Sequence, residues 1–131
     1  MVVLILDAVQ GPTAQDKKIA ALVQENRKGC LVLVNKWDLA GEVSQREYGP
    51  AVLKAMPFMA HCPLEFVSSA TGYNIRRTVE AIDHVAGQVQ AQLPTGILNR
   101  AVLDASERVQ PQAVKGKRLR IYYVTQVGTR P

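Results

Sequence analysis

The run Leu31-Val32-Leu33-Val34 leads without interruption into Asn35-Lys36-Trp37-Asp38. Apolar residues without alternation, branched and few in number, describe a strand buried on both faces. That is the condition of a parallel sheet covered by helices on either side. The polar tetrad then falls at the strand's C-terminal end, where open α/β sheets bind ligands. Its chemistry suits a guanine ring. The Asn35 amide can both donate to and accept from a purine edge. The Asp38 carboxylate can accept two hydrogen bonds at once, and guanine offers N1–H and its 2-amino group side by side. Adenine lacks that pair of donors and would leave the carboxylate unmatched, at a cost of about 1–3 kcal/mol or more. Four residues carry little specificity alone, so a second element is needed.

That element is Ser68-Ser69-Ala70-Thr71-Gly72, which follows the short apolar stretch Leu64–Val67. Small side chains let backbone N–H groups approach a carbonyl such as guanine O6, and Gly72 permits a sharp exit into the next helix. The rest of the chain supplies a frame for two such loops. Val2–Leu6 reads as a first buried strand. Thr13 and Asp16 form an N-terminal capping pattern for a helix from about Ala14 to Arg27, with Ile19, Leu22 and Val23 on its apolar face. Between Leu39 and Met56 a loop and a helix are expected, broken near Gly49-Pro50 and stopped by Pro57. Ile75, Val79, Ile82, Val85, Val89 and Leu93 recur at helical spacing and define a long amphipathic helix. Leu93-Pro94 marks a boundary between domains at 1–94 and 95–131. Thr95 is expected to cap a further helix, and Lys117 to Val127 alternates as a strand with Leu119, Ile121, Tyr123, Thr125 and Val127 inward. The order β-α-β-α-β-α, then α-loop-β, is an α/β piece joined to a small α+β piece.

Charge separates the two pieces. Residues 1–94 carry nine Lys/Arg and nine Asp/Glu, so the formal net charge of +5 lies entirely in residues 95–131. An acidic partner for that part is implied, RNA ahead of a membrane, with DNA not expected. Lys115, Lys117, Arg118 and Arg120 are the candidate phosphate contacts. Cys30 and Cys62 are the only cysteines and lack metal-site spacing, so two free, buried thiols in a reducing cytoplasm are expected. No metal-ligand set is indicated. Asp7, at the end of the first strand, reads as a turn former before Gly11, and His61 as a loop residue without partners. Val2–Leu6 is too short for a signal segment or a membrane span.

Together, Asn35-Lys36-Trp37-Asp38 and Ser68-Ser69-Ala70-Thr71-Gly72 resemble the base-recognition half of a GTPase G domain, a fold of the P-loop-NTPase type. Val3-Leu4-Ile5-Leu6-Asp7-Ala8 with Gly11 and Gln15-Asp16 resembles the strand-turn-helix that precedes this motif in the double-G-domain ribosome-assembly GTPases, the EngA/Der family. Leu98-Asn99-Arg100-Ala101 and the stretch Gly116 to Pro131 resemble that family's C-terminal KH-like domain. The resemblance covers essentially the whole chain. It implies an incomplete G domain of parallel strands with flanking helices, followed by part of an α+β KH-like domain. It also implies a GTP-hydrolysing switch of the cytoplasm acting in assembly of the large (50S) ribosomal subunit, with rRNA as partner.

Carried over by position, Asn35 would bond the guanine edge, Lys36 would lay its stem on the ring face, and Asp38 would take N1–H and the 2-amino group. Ser68 would brace the second loop, and the backbone of Ser69 and Ala70 would approach O6. Ser69 and Ala70 depart from the commoner Ala and longer residue at these positions, and Ala70 covers less of the ring. No Gly-x-x-x-x-Gly-Lys-Ser/Thr sequence occurs, and Asp38-Leu39-Ala40-Gly41 matches Asp-x-x-Gly only by overlap with the base motif. The resemblance therefore implies a fragment that begins within the second G domain, with GTP or GDP as ligand and Mg²⁺ held only by a longer parent. No Gly-x-x-Gly clamp occurs in the basic piece, whose RNA role rests on charge and position. The alternative is a non-enzymatic basic α/β module that binds rRNA or a ribosomal protein.

Overall fold

The computed structural model describes residues 1–109 and 119–128. They fall into two compact units that meet in sequence at Val89 and Gln90. The first is built on three parallel strands in the order β1 (Val2–Asp7), β2 (Cys30–Asn35), β3 (Leu64–Phe66). In register, Asp7 stands opposite Asn35, and Val34 opposite Phe66. The ends of β1 and β2 therefore lie side by side, which is what positions the site. The central strand β2 is buried along its length except at Asn35, as the unbroken Leu/Val run requires.

Each face of the sheet has its own core. Leu4, Leu6, Val32, Val34 and Phe66 pack with Ala20 and Val23 of α1 (Ala14–Glu25), Val52 of α2 (Gln45–Ala55), and Met56 and Met59 around the 3₁₀ turn Pro57–Met59. On the other face Leu31, Leu33 and Val67 meet Val85, Ala81, Ile82 and Val89 of α3 (Ile75–Gln90). Gly29 is required by this packing, because a Cβ there would run into the Val89 side chain. The start of α1 is as expected: the Asp16 carboxylate accepts from the Thr13 N–H at 2.8 Å, and Thr13 Oγ1 accepts from the Asp16 N–H at 3.2 Å.

Several expectations are corrected. On α1 the buried residues are Ala20 and Val23, while Ile19 and Leu22 are exposed. On α3 Ile75 and Val79 are exposed, and Thr78 takes the buried position instead. A helix buries only what it can set against a partner, and the three strands present α3 with little beyond Leu31, Leu33 and Val67. The helix α2 is not broken at Gly49-Pro50, since Pro50 lies inside it. Pro50 and Arg46 are both exposed, so the missing hydrogen bond falls on the solvent side of the helix, which softens the usual penalty. At the start of α2 Glu47 accepts from the Ser44 N–H at 3.1 Å and the Ser44 hydroxyl at 2.7 Å, which fixes the first turn.

In the second unit, α4 (Thr95–Arg108) starts after Pro94, so Thr95 is its first residue rather than its cap. Among the described residues, 119–128 form no strand. A strand needs a neighbouring backbone to pair with, and here side chains take that place. The Asn99 amide accepts from the Val124 N–H and donates to the Val124 carbonyl, both at 2.8 Å. Gln126 does the same to the incoming chain, accepting from the Leu93 N–H at 2.8 Å and donating to the Ala91 carbonyl at 3.1 Å. Of the expected inward face only Ile121 is half-buried: Leu119, Tyr123, Thr125 and Val127 are exposed, whereas Val124 and Gln126 of the opposite face are half-buried. Among the described residues no helix is long and apolar enough to cross a membrane.

Candidate functional site

The two polar loops at the ends of β2 and β3 meet. The Ser69 N–H donates to Asn35 Oδ1 at 3.0 Å, and Asn35 Nδ2 donates to Ser69 Oγ at 3.3 Å, across 34 positions of sequence. Asn35 thus holds the second loop while one amide hydrogen stays free to meet a ligand. Ser68 is fully buried and organises the loop from within. Its Oγ accepts from the Thr71 N–H at 3.2 Å, its carbonyl accepts from the Gly72 N–H at 2.9 Å, and its N–H donates to the Tyr73 carbonyl at 3.1 Å. Of the two amides expected near O6, that of Ser69 is therefore spent on Asn35. The Ala70 N–H has no partner among the described residues. The positive φ of Gly72, +80°, lets the chain leave the loop.

Lys36 adopts the left-handed conformation, φ 60° and ψ 35°, at a cost of about 1–2 kcal/mol for a residue with a Cβ. The bend turns the chain from the strand into the 3₁₀ turn Trp37–Leu39 and leaves Asp38 exposed. Backbone bonds hold it there: the Trp37 N–H donates to the Val67 carbonyl at 3.1 Å, and the Leu39 N–H to the Lys36 carbonyl at 2.9 Å. Beneath, Trp37 packs edge-on against Phe66, with ring centroids 4.5 Å apart, and against Tyr48 at 5.4 Å. An open cleft of about 360 Å³, lined by Trp37, Asp38, Thr71 and Tyr73, lies beside the carboxylate.

Lys36 also reaches back to β1, where its Nζ lies 2.7 Å from Asp7 Oδ2. The other oxygen of Asp7 accepts from the Val9 N–H at 2.8 Å and the Gln10 N–H at 3.3 Å. The hydrogen bond from Lys36, followed by that from the Val9 amide, holds the Asp7 carboxyl below the usual carboxylate range. Reading Asp7 as a turn former thus captures one of its two oxygens. The second partner was illegible in sequence because it lies 29 positions away, although an acidic residue ending the strand beside Asn35-Lys36 was the available signal. The Tyr48 hydroxyl donates to the Ala8 carbonyl at 2.7 Å, tying the same turn to α2. Burial, then the Asp7 charge, pushes the Tyr48 phenol up.

Cys30 and Cys62 are free and buried, as expected. Burial and the neighbouring Cys30 push the Cys62 thiol up to about 11. Among the described residues no group of three or more His, Cys, Asp or Glu could hold a metal ion. In the second unit Arg120 and Tyr122 are both exposed. Lys115, Lys117 and Arg118 lie outside the described residues.

Residues 92–131 match the KH-domain-like C-terminal region of EngA bacterial GTPase enzymes. The GTPase Der of Caldanaerobacter subterraneus subsp. tengcongensis is 39% identical over 130 residues, covering 98% of this chain and 30% of that protein. For the GTPase Der of Protochlamydia amoebophila the figures are 40% over 129 residues, 98% of this chain and 26% of the relative. That of Acetivibrio thermocellus is 40% identical over 130 residues, 98% and 30%. The chain thus spans less than a third of the length of the curated relatives it matches. Similar to these proteins along nearly all of its own length, and matched to EngA through its last 40 residues, the chain belongs to the EngA/Der family.

Proposed function

We propose that this chain supplies the base-recognition part of a guanine-nucleotide switch that binds and hydrolyses GTP and acts in assembly of the large ribosomal subunit in the cytoplasm. The observation that carries the reading is the union of the two loops by Asn35 and Ser69, at 3.0 Å, with the Asp38 carboxylate exposed beside them. Asp38 takes N1–H and the 2-amino group of guanine. Asn35 donates its remaining amide hydrogen to the purine edge, and the Ala70 N–H, on the loop that Ser68 and Ser69 hold in place, turns to O6. The Lys36 stem lies along the ring face. This donor and acceptor set fits guanine and mismatches adenine, which carries an amino group at position 6 and none at position 2.

Phosphate chemistry belongs elsewhere in the longer protein. The 131 residues contain no Gly-rich phosphate loop ending in Lys-Ser/Thr, and Mg²⁺ is assigned to the segment that carries such a loop. The relatives' name, GTPase Der, supports hydrolysis as the activity of the whole. We place the division of labour at the boundary between 1–94 and 95–131. The second part, KH-like, carries the whole net charge of +5 and meets rRNA through Lys115, Lys117, Arg118 and Arg120.

The test is Asp38→Asn in the full-length protein with its other G domain disabled. An amide can donate to the 2-oxo group that xanthine carries in place of guanine's amine. GTP affinity is expected to fall by about 30- to 1,000-fold, a loss of roughly 2–4 kcal/mol for a two-pronged charged contact, while XTP affinity rises. Unchanged affinities for both nucleotides would refute the assignment.

A further inference from the structure

We propose that Asp7 is a positioning residue for the nucleotide base, acting through Lys36; the proposal rests on the guanine reading above and adds a residue to it. The two groups differ in how firmly they are held. The Asp7 side chain is 23% exposed and the Lys36 side chain 53%, so the carboxylate is the anchor and the lysine the group that is placed. The anchoring is visible atom by atom. One Asp7 oxygen is fixed by the Val9 and Gln10 amides, which leaves the other aimed at Lys36 Nζ, 2.7 Å away. The parallel register sets Asp7 beside Asn35. The Asp7 carbonyl closes the same turn by accepting from the Gly11 N–H at 2.8 Å, and Tyr48 ties that turn to α2 through Ala8 at 2.7 Å.

A lysine stem has four rotatable bonds and loses much rotamer freedom when a ligand orders it. Here the left-handed backbone of Lys36 and the ion pair to Asp7 set the stem's course before any base arrives. A stem already ordered raises affinity by removing part of the ordering cost. Because the pair is open to solvent, the effect is modest and screened by salt.

The experiment measures binding of a fluorescent GDP analogue, and its competition by XTP, to the full-length protein with its other G domain disabled, at low and high salt. The variants are Asp7→Asn, Asp7→Glu, Lys36→Met and the double variant Asp7→Asn/Lys36→Met, with Asp38→Asn alongside. Asp7→Asn is expected to weaken binding about three- to tenfold at low salt, less at high salt, and not at all once Lys36 is Met. Asp7→Glu restores the charge opposite Lys36 without the turn-capping geometry of Asp, so it is expected to recover most of the affinity. Equal losses with and without the Lys36 ammonium would make Asp7 merely structural and overturn the proposal. No loss in Asp7→Asn, with Asp38→Asn still altering guanine selectivity, would overturn the proposal and leave the guanine reading standing. No effect of Asp38→Asn would overturn both.

Discussion

In the proposed reading Asn35 both holds the Ser69 loop and meets the purine edge, and a pair of substitutions should divide these two jobs. Asn35→Ala removes the acceptor for the Ser69 N–H at 3.0 Å and the longer contact to Ser69 Oγ at 3.3 Å. Net hydrogen-bond contributions run to about 0.5–1.5 kcal/mol each, and an exposed pair sits at the low end, so the loss should be about 1 kcal/mol. The 68–73 loop would not unravel. Its internal bonds, Gly72 N–H to the Ser68 carbonyl at 2.9 Å and Thr71 N–H to Ser68 Oγ at 3.2 Å, do not involve Asn35. It would only part from β2. For a unit of this size the melting midpoint should fall by about 4–8 °C. Asn35→Asp keeps an acceptor for Ser69 and makes that bond charge-assisted, so its midpoint should stay close to wild type. In the full-length protein the same variant should nevertheless bind guanine nucleotide poorly, because a carboxylate has no hydrogen to give the purine edge. Trp37 is the only tryptophan and packs 4.5 Å from Phe66, so its fluorescence reports unfolding of the first unit directly. Melting of Asn35→Ala at the wild-type temperature would refute the latch, and an equal fall in Asn35→Asp would show that the side chain's packing, not its acceptor, matters.

Three further outcomes are expected. The folded Cys62 thiol titrates near 11 against an ordinary 9.0, so the neutral form is favoured in the fold. The resulting stability, roughly 2–3 kcal/mol, is complete below pH 9 and lost as pH rises towards 11; urea midpoints should fall more steeply over that window for wild type than for Cys62→Ala. Asn99→Ala should release 119–128, since both Val124 backbone groups lose their partners, and amide exchange at Val124 should speed up by roughly tenfold or more while the melting of Trp37 stays put. Arg118→Ala/Arg120→Ala in the full-length protein should weaken large-subunit binding and lower its salt dependence by about one unit or less per lost phosphate contact; superimposable salt series would show that these two arginines make no such contact.

What could be read from residues alone was whatever depends on local order or on chemistry. The Leu/Val run of β2 announces burial on both faces because no polar side chain interrupts it. Thr13 and Asp16 cap α1 by contacts three residues apart. The two polar loops could be paired by the base chemistry they share. Tertiary structure decided the rest, because each remaining question turns on a partner distant in sequence. Which face of α1 and α3 is buried follows from how much sheet lies beneath them, so Leu22 and Val79 point outward despite their spacing. Pro50 stays inside α2 on its solvent side, where a missing hydrogen bond costs least. The alternation of 119–128 does not make a strand; the Asn99 side chain meets its backbone at Val124, and Gln126 ties it to the chain at Ala91 and Leu93. At the site itself, residue types carry the proposed guanine reading, but only the fold spends the Ser69 amide on Asn35 and sets Lys36 against Asp7. A parallel register lays Asp7 beside Asn35, and no periodicity within either strand encodes that adjacency.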